Sequence, residues 1–195
     1  MNKINIAVWG LGNHAINRIL PSISNINEIK LIGVCSRNNN VVNNYAKLYG
    51  CFGWNNPTEM LASNEVDVVY ISTPIGIHFS NANQAITAGK NVWCEKPLTC
   101  NYKDSVELIS LAVERNCVIT ESFMFLYHPQ FKRLKRFVDD SKQIQSIICR
   151  FGIPALSKPG FRSNPELCGG ALWDVGSYTT SALLSVFHNQ TVKVV

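Results

Sequence analysis

Charged side chains are scarce in this sequence. Asp, Glu, Lys and Arg make up 16% of the 195 residues, and the net charge is +5. Asparagine, with 21 copies, supplies much of the polarity instead. A charge this mild suits an anionic small ligand and gives little support for nucleic-acid binding. Because 46% of the residues are hydrophobic, the chain can bury a core and is not a disordered tail.

Long apolar runs are also missing. No window of about 18 apolar residues occurs, which excludes a membrane span. The apolar run after Met1 is interrupted by Gly10, Gly12, Asn13 and His14, so it is a poor secretory signal. The seven cysteines form no Cys-x-x-Cys pair and no cluster with histidine at zinc spacing. We therefore expect reduced thiols, no metal site and a cytoplasmic location.

Short β-branched runs alternate with helical patterns over roughly the first 125 residues. This rhythm predicts the α/β class: a Rossmann domain over residues 1–125, with a doubly wound parallel sheet. The predicted strands are Ile4–Trp9, Ile29–Cys35, Cys51–Trp54, Val66–Ser72, Asn91–Cys94 and Val118–Phe125. The predicted helices are Ala15–Ile23, Val41–Tyr49, Pro57–Ala62, Phe79–Ala88 and Lys103–Arg115.

The pattern changes after residue 125. It predicts a helix over Phe131–Val138, a strand over Ile144–Phe151, and a loop over residues 152–170. A long apolar helix over Ala171–Phe187 and the beginning of a strand at Thr191–Val195 follow. We interpret residues 126–195 as the incomplete start of an α+β substrate and oligomerisation domain.

The densest basic cluster lies on the first of these helices. Lys132, Arg133, Lys135 and Arg136 alternate with its apolar face, so they are most simply a solvated surface. We expect no nucleic-acid partner.

The segment Gly10-Leu11-Gly12-Asn13-His14-Ala15 directly follows a strand and opens a helix. Its first glycine permits a tight turn, its second lets a pyrophosphate approach the backbone, and the small third residue lets helix and strand pack closely. Phosphates would then bind the unpaired N–H groups at the helix N-terminus. The alternative is a tight turn without a ligand.

The end of the second strand indicates which dinucleotide binds. A carboxylate there would bind a ribose 2′-hydroxyl, but the sequence is Cys35-Ser36-Arg37. A hydroxyl and a guanidinium suit a 2′-phosphate, which favours NADP over NAD. Arg37 as a solvated loop cation is an equally good interpretation.

Two further groups of residues suggest proton chemistry. Glu95-Lys96-Pro97 follows a strand, where Lys96 could polarise a hydroxyl or simply pair with Glu95 at the surface. Asp174 and Tyr178 are four residues apart on a predicted helix, so they share a face and could bind a sugar hydroxyl. A buried Tyr whose hydroxyl merely finds a partner is the alternative.

These four segments, in this order, resemble the glucose–fructose oxidoreductase / inositol dehydrogenase (Gfo/Idh/MocA) family of NAD(P)-dependent oxidoreductases. Ser72-Thr73-Pro74 with His78, and Glu121-Ser122-Phe123-Met124, are also similar to that family. The stretch from Phe161-Arg162 to Gly169-Gly170-Ala171-Leu172 most resembles the dihydrodiol / D-xylose dehydrogenase branch, which uses NADP. The resemblance covers essentially the whole chain, and members of the family continue considerably further.

The resemblance implies a role for each matching residue. The pyrophosphate would be lined by Gly10, Gly12, Asn13 and His14, and the adenosine ribose by Ser36 and Arg37. The cofactor cleft would be bordered by Thr73, Pro74 and His78. Glu95 and Lys96 would lie beside the nicotinamide, with Lys96–Pro97 as a cis bond. Asp174 and Tyr178 would contact the substrate, and Tyr178 would be the general acid/base, assisted by Lys96.

The implied reaction is hydride transfer between NADP(H), or NAD(H), and a sugar, polyol or related compound. The alternative is a dinucleotide-binding fragment or sensor without complete catalytic machinery. The family form would be a homo-oligomer, which is not expected of so short a chain.

Overall fold

The computed structural model describes residues 3–141 and 144–187. They divide into two compact units, the first ending at Glu121 and the second beginning at Ser122. The predicted strand at Thr191–Val195 lies outside the described residues.

The first unit is built on a six-stranded sheet. Its strands are β1 (Ile4–Trp9), β2 (Ile29–Cys35), β3 (Phe52–Trp54), β4 (Val68–Ile71), β5 (Asn91–Glu95) and β6 (Ile119–Ser122). Their order in the sheet is β3-β2-β1-β4-β5-β6. Parallel pairs join β1 to β2 and β4, β2 to β3, and β4 to β5. The prediction of a Rossmann-type parallel sheet is confirmed.

Helices connect these strands. A wide, π-type turn over Ala15–Ile19 leads into α1 (Leu20–Ser24). The others are α2 (Asn39–Tyr49), α3 (Pro57–Ala62), α4 (His78–Thr87) and α5 (Tyr102–Glu114). When the wide turn is counted with α1, each helix differs from its predicted range by two residues or fewer at either end.

Asparagine begins three of these helices. The side-chain oxygens of Asn38, Asn56 and Asn101 accept hydrogen bonds from backbone N–H groups in the first turns of α2, α3 and α5. An N-cap of this kind satisfies an amide that has no acceptor within the helix. Part of the asparagine content of the sequence therefore serves to start helices.

Both faces of the sheet are covered, as the alternation along the strands requires. On one face Ala7 and Trp9 of β1 belong to a cluster that includes residues of α3, α4 and α5. On the other, Ile6 and Val8 pack in a cluster with residues of α1 and α2. The sheet is thus fixed between two layers of helices, and the turns that connect strands to helices lie at the edges of the sheet.

The second unit contains α6 (Pro129–Asp140), a wide turn over Leu172–Gly176, and α7 (Ser177–Val186). The predicted helices are confirmed, but the predicted strand at Ile144–Phe151 is wrong. That segment has no regular structure, and Ile148 is 78% exposed. A strand needs a neighbour to pair its backbone groups, and residues 123–141 and 144–187 contain no strand.

Five cysteines of the described residues, Cys35, Cys51, Cys94, Cys117 and Cys149, are free thiols.

Leu20→Ala should destabilise the first unit. Leu20 is fully buried where α1 packs on the sheet, so truncation removes apolar contacts and leaves a cavity. We expect a loss of about 2–5 kcal/mol in the free energy of unfolding, measured by urea denaturation. The control Leu48→Ala, at a leucine that is 66% exposed on α2, should change that free energy by less than about 0.5 kcal/mol.

Candidate functional site

The candidate residues of the first unit lie where neighbouring strands end. Gly10 follows β1, Ser36 follows β2, Thr73 follows β4, and Glu95 ends β5 with Lys96 next to it. These four strands are adjacent and parallel, so their carboxyl ends share one edge of the sheet. The chain reverses its direction of travel across the sheet between β1 and β4, and doubly wound folds bind ligands in the crevice at that point.

The two glycines of the turn after β1 have different surroundings. Gly10 has φ +104°, and a Cβ there would lie 2.5 Å from the carbonyl oxygen of Ser72, so that position requires glycine. A Cβ on Gly12 would meet nothing within 4 Å. The free space beside Gly12 therefore faces outward, as a backbone that receives a pyrophosphate must.

The helix after this turn presents its amino end to the same space. The N–H of Ile16 donates to the carbonyl of Gly12 at 3.0 Å and closes the first turn. The preceding amides, up to Ala15, are at the end of a helix where no intrahelical acceptor exists. Gly12, Asn13 and His14 are exposed there, which fits a group carrying phosphates.

Ser36 and Arg37 lie beside the start of α2. The hydroxyl of Ser36 accepts a hydrogen bond from the Asn38 N–H at 3.3 Å. Arg37 is exposed, makes no ion pair with another described residue, and lines an open concavity with residues 38–40. A free guanidinium next to a hydroxyl is suited to an added phosphate.

Glu95 connects the glycine turn to the end of β5. Its Oε1 accepts hydrogen bonds from Nε2 of His14 at 3.1 Å and from the Tyr70 hydroxyl. Its Oε2 accepts the backbone N–H of Lys96 at 3.3 Å. Burial by itself would raise the pKa of this carboxyl, but the hydrogen bonds from His14 and Tyr70 hold the pKa below its usual value. Glu95 is therefore an ionised group inside the site.

The backbone after Lys96 is held by side chains from two other elements. The Lys96–Pro97 bond is cis, as the resemblance implied. Nδ1 of His78 is 2.8 Å from the Pro97 carbonyl, and Oε1 of Glu121 accepts the Leu98 N–H at 2.7 Å. Because these contacts come from α4 and β6, the direction of the Lys96 segment is fixed by the packed core.

His78 is buried, with 1% of its surface exposed. Its second ring nitrogen, Nε2, is 2.9 Å from the carbonyl of Thr73, and the Thr73 hydroxyl accepts from Asn81. The ring therefore ties the Thr73-Pro74 segment to Pro97. Burial lowers the pKa of His78, although both carbonyl contacts act in the opposite direction.

The second unit places Asp174 against Arg162. Arg162 Nε donates to Oδ2 of Asp174 at 2.6 Å, and Asp174 is buried. The loop carrying Arg162 folds back on Gly169, where a Cβ would lie 2.5–2.7 Å from three backbone carbonyl oxygens. The Gly-Gly sequence thus lets the arginine approach the carboxylate.

Tyr178 lies in the first turn of α7, within an aromatic cluster of the second unit. Its ring stacks on Phe151, with centroids 4.6 Å apart and planes inclined by 6°. Phe123 and Phe125 lie at 5.7 and 5.9 Å. The ring of the proposed acid/base is thereby oriented by apolar contacts on more than one side.

Tyr70, Glu121 and Arg162 take part in these sites, although the sequence did not assign roles to them. A tyrosine within the buried run Val66–Ser72 must find a partner for its hydroxyl, and a carboxylate at the end of an apolar strand is equally costly without one. Those two signals indicate that Tyr70 and Glu121 need polar partners. The sequence around Arg162 contains no comparable signal.

The described residues provide neither a cluster of metal-ligating side chains nor a helix that could span a membrane. Residues 3–141 and 144–187 contain no three His, Cys, Asp or Glu side chains grouped so as to hold a metal ion. Among the helices described, none has the length and apolar character needed to cross a membrane.

The first unit matches a known protein family. Residues 4–123 match the family model GFO_IDH_MocA, described as an oxidoreductase family with an NAD-binding Rossmann fold. The chain belongs to this family. The predicted family and α/β fold are confirmed, and the family is described by its NAD-binding Rossmann fold.

The relatives of this chain include reductases that are named for a dTDP-sugar. The chain is 32% identical over 180 residues to a dTDP-3,4-didehydro-2,6-dideoxy-alpha-D-glucose 3-reductase of Streptomyces violaceoruber, covering 91% of this chain and 53% of the relative. It also resembles the structure of KijD10, a 3-ketoreductase from Actinomadura kijaniata in complex with NADP and TDP-benzene. That match has TM-score 0.85 and 28% identity, and covers 95% of this chain and 57% of KijD10.

A third match is GenD2 from gentamicin A biosynthesis, in complex with NAD, with TM-score 0.87 and 26% identity. It covers 99% of this chain and 56% of GenD2. The chain thus spans a little over half the length of these relatives. The dihydrodiol / D-xylose dehydrogenase branch stays a prediction.

Gly12→Ala should weaken dinucleotide binding without unfolding the protein. The added methyl group meets no protein atom, yet it occupies the space into which the phosphates must come. We expect an unchanged Tm and at least a tenfold weaker NADPH affinity, measured by fluorescence titration. Gly10→Ala is the contrasting variant, because its methyl group collides with the Ser72 carbonyl and should lower the Tm. Unimpaired binding by Gly12→Ala would contradict this assignment of the phosphate site.

Stability should decrease as the pH falls below about 6.5. The pKa of His78 is lowered in the folded state, so the unfolded chain binds the proton first in the window between the folded and unfolded values. The contribution of this residue is complete above pH 6.5 and is lost as the pH falls through the folded pKa. Urea unfolding at pH 5–8 measures it, and His78→Gln should flatten the slope in that window whatever its absolute stability.

Proposed function

We propose that this chain binds NADP(H) in preference to NAD(H), as part of an oxidoreductase acting on a sugar, polyol or related carbonyl compound. The bound dinucleotide supplies the hydride chemistry. The protein supplies orientation and proton transfer.

The bridge from His14 to Glu95 carries this proposal. It joins the turn that would receive the pyrophosphate to the strand end that carries Lys96. A tight turn without a ligand would not need an ionised carboxylate and an exposed imidazole beside its helix end. The similarity to NADP-bound KijD10 and to sugar 3-reductases supports the same interpretation.

Lys96 is proposed to act at the reacting hydroxyl, either by transferring a proton or by stabilising the alkoxide that develops there. Its backbone N–H is bound by Glu95, and the residues after it are held by His78 and Glu121. An ammonium group held at a fixed place can stabilise a developing alkoxide.

Tyr178 is proposed as the general acid/base, and Asp174 as a substrate-binding carboxylate. The aromatic rings around Tyr178 limit its rotation, which favours a defined direction for its hydroxyl. Arg162 neutralises part of the charge of Asp174, so that the carboxylate can be buried without its full desolvation cost.

The preference for NADP rests on Ser36 and Arg37. Neither carries a carboxylate that would bind a 2′-hydroxyl and repel a 2′-phosphate. An exposed guanidinium without an ion pair among the described residues is available for that phosphate.

Arg37→Ala should reduce the affinity for NADPH about tenfold or more and leave the affinity for NADH unchanged, because the contact concerns the 2′-phosphate. The difference between the two cofactors, measured by calorimetry, is the readout. Lys47→Ala removes another cation, from the last turn of α2, and should alter neither affinity. Equal loss for both cofactors would show that Arg37 does not select the phosphate.

Tyr178→Phe should lower NADPH oxidation with an accepted aldose, ketose or dicarbonyl compound about 100-fold or more, because it removes the proton-transfer group. NADPH affinity should not change. The oxidation rate is measured with a panel of substrates, and the NADPH affinity by fluorescence titration. NADPH binding without turnover of any substrate by the unmodified chain would favour the alternative, a dinucleotide-binding fragment or sensor.

The sugar or polyol substrate, the cytoplasmic location and the oligomeric state of the whole protein stay predictions.

A further inference from the structure

The outer side of α5 carries a row of exposed apolar side chains. Tyr102 and Val113, near the two ends of the helix, are 83% and 76% exposed, and Val106 and Ile109 between them are also exposed. We call these four residues the α5 stripe. Exposed apolar side chains that occur singly are ordinary, but a contiguous patch of them marks a surface that another molecule covers.

The α5 stripe is not what holds the helix on the sheet. The buried residues of α5 are Leu108 and Ala112, and both belong to the core cluster beneath the helix. Members of the stripe follow one another at intervals of four, three and four residues, which keeps them in one line along a helix. That line lies on the side of α5 that faces solvent, so the stripe can be changed without opening the core.

The spacing of the α5 stripe is the same in both directions along the helix. Intervals of four, three and four residues are symmetric about a point between Val106 and Ile109. A second α5 laid antiparallel on the first therefore matches it position by position, with Tyr102 against Val113 of the copy and Val106 against Ile109 of the copy. A two-fold axis between identical chains requires a self-complementary surface of this kind.

The charges beside the α5 stripe fit the same arrangement. Lys103 is in the first turn of α5 and Glu114 in the last, and a rotation of about 100° per residue places both on the same flank of the stripe. Lys103 is exposed and makes no ion pair with another described residue, and Glu114 makes an exposed contact with its neighbour Arg115 at 3.8 Å. Antiparallel packing brings each lysine near the glutamate of the copy, whereas parallel packing sets lysine against lysine.

We propose that the first unit forms a dimer with a second copy of this chain, in which the two α5 helices pack antiparallel through their stripes. The apolar residues form the centre of the contact, and the pairs between Lys103 and Glu114 of the copy form its rim. A contact made by one helix from each chain is small, which is typical of a reversible dimer. No residue of the stripe belongs to the candidate site, so the inference does not rest on the proposed function.

Sedimentation velocity of the unmodified chain at about 5 to 500 μM tests the association. We expect a reversible change from the mass of one chain to the mass of two as the concentration rises. Val113→Gln should weaken the association at least tenfold and leave the Tm unchanged, because the dimer loses an exposed apolar contact twice. Leu48→Gln, at an equally accessible leucine of α2, is the matched control and should leave the association unchanged.

An exchange of charges tests the antiparallel direction. Lys103→Glu places like charges at both ends of the contact, and so does Glu114→Lys, so each variant alone should associate about threefold more weakly or worse. In an equimolar mixture of the two variants, the charges across a mixed dimer are opposite again. The mixture should therefore recover the affinity of the unmodified chain, and so should the double variant.

The mass of a single chain at every concentration, or a dimer that Val113→Gln leaves intact, overturns the inference. No recovery in the mixture of charge variants overturns the antiparallel arrangement. NADPH affinity, measured by fluorescence titration on the same samples, tests the proposed function separately, and none of these variants should change it.

Discussion

The close approach of Gly10 to the carbonyl of Ser72 is the contact on which the candidate site depends. It brings the turn after β1 against the segment after β4, at the place where the strand order reverses. Any side chain at Gly10 would separate the two segments, because its first carbon would lie 2.5 Å from a backbone oxygen. The neighbouring end of β5 then comes close enough for Glu95 to reach His14, and the site becomes one continuous network rather than three separate loops.

A partly buried carboxylate lies at the centre of this network, and both of its oxygens accept hydrogen bonds. Glu95 receives hydrogen bonds from a tyrosine, a histidine and a backbone amide, and these more than offset the desolvation that would raise its pKa. The negative charge that results lies next to the helix end expected to bind an anion. His14 lies at that helix end and contacts Glu95 through Nε2.

The sequence predicted the first unit closely because its signals are local. Glycine spacing and strand–helix alternation are both set within a few residues, and parallel pairing then brings the strand ends together. The Tyr70–Glu95 contact joins residues 25 apart, and its partner could not be named from the pattern. For Ile144–Phe151, by contrast, the local signal led to a wrong prediction. Its apolar, β-branched character suits a strand, but a strand forms only where a neighbour pairs with it, and propensity does not contain that information.

The second unit also contains a buried carboxylate, Asp174, whose charge is compensated without a parallel sheet. Asp174 is buried in a wide helical turn, and its charge is met by an arginine that reaches it only because Gly169 leaves room for the loop. Removing either partner of such a pair costs more than the pair contributes, since the remaining charge stays buried. Any role of Asp174 in substrate binding thus has to be exercised through an already paired group, which favours accepting a hydrogen bond from a neutral hydroxyl over binding a cation.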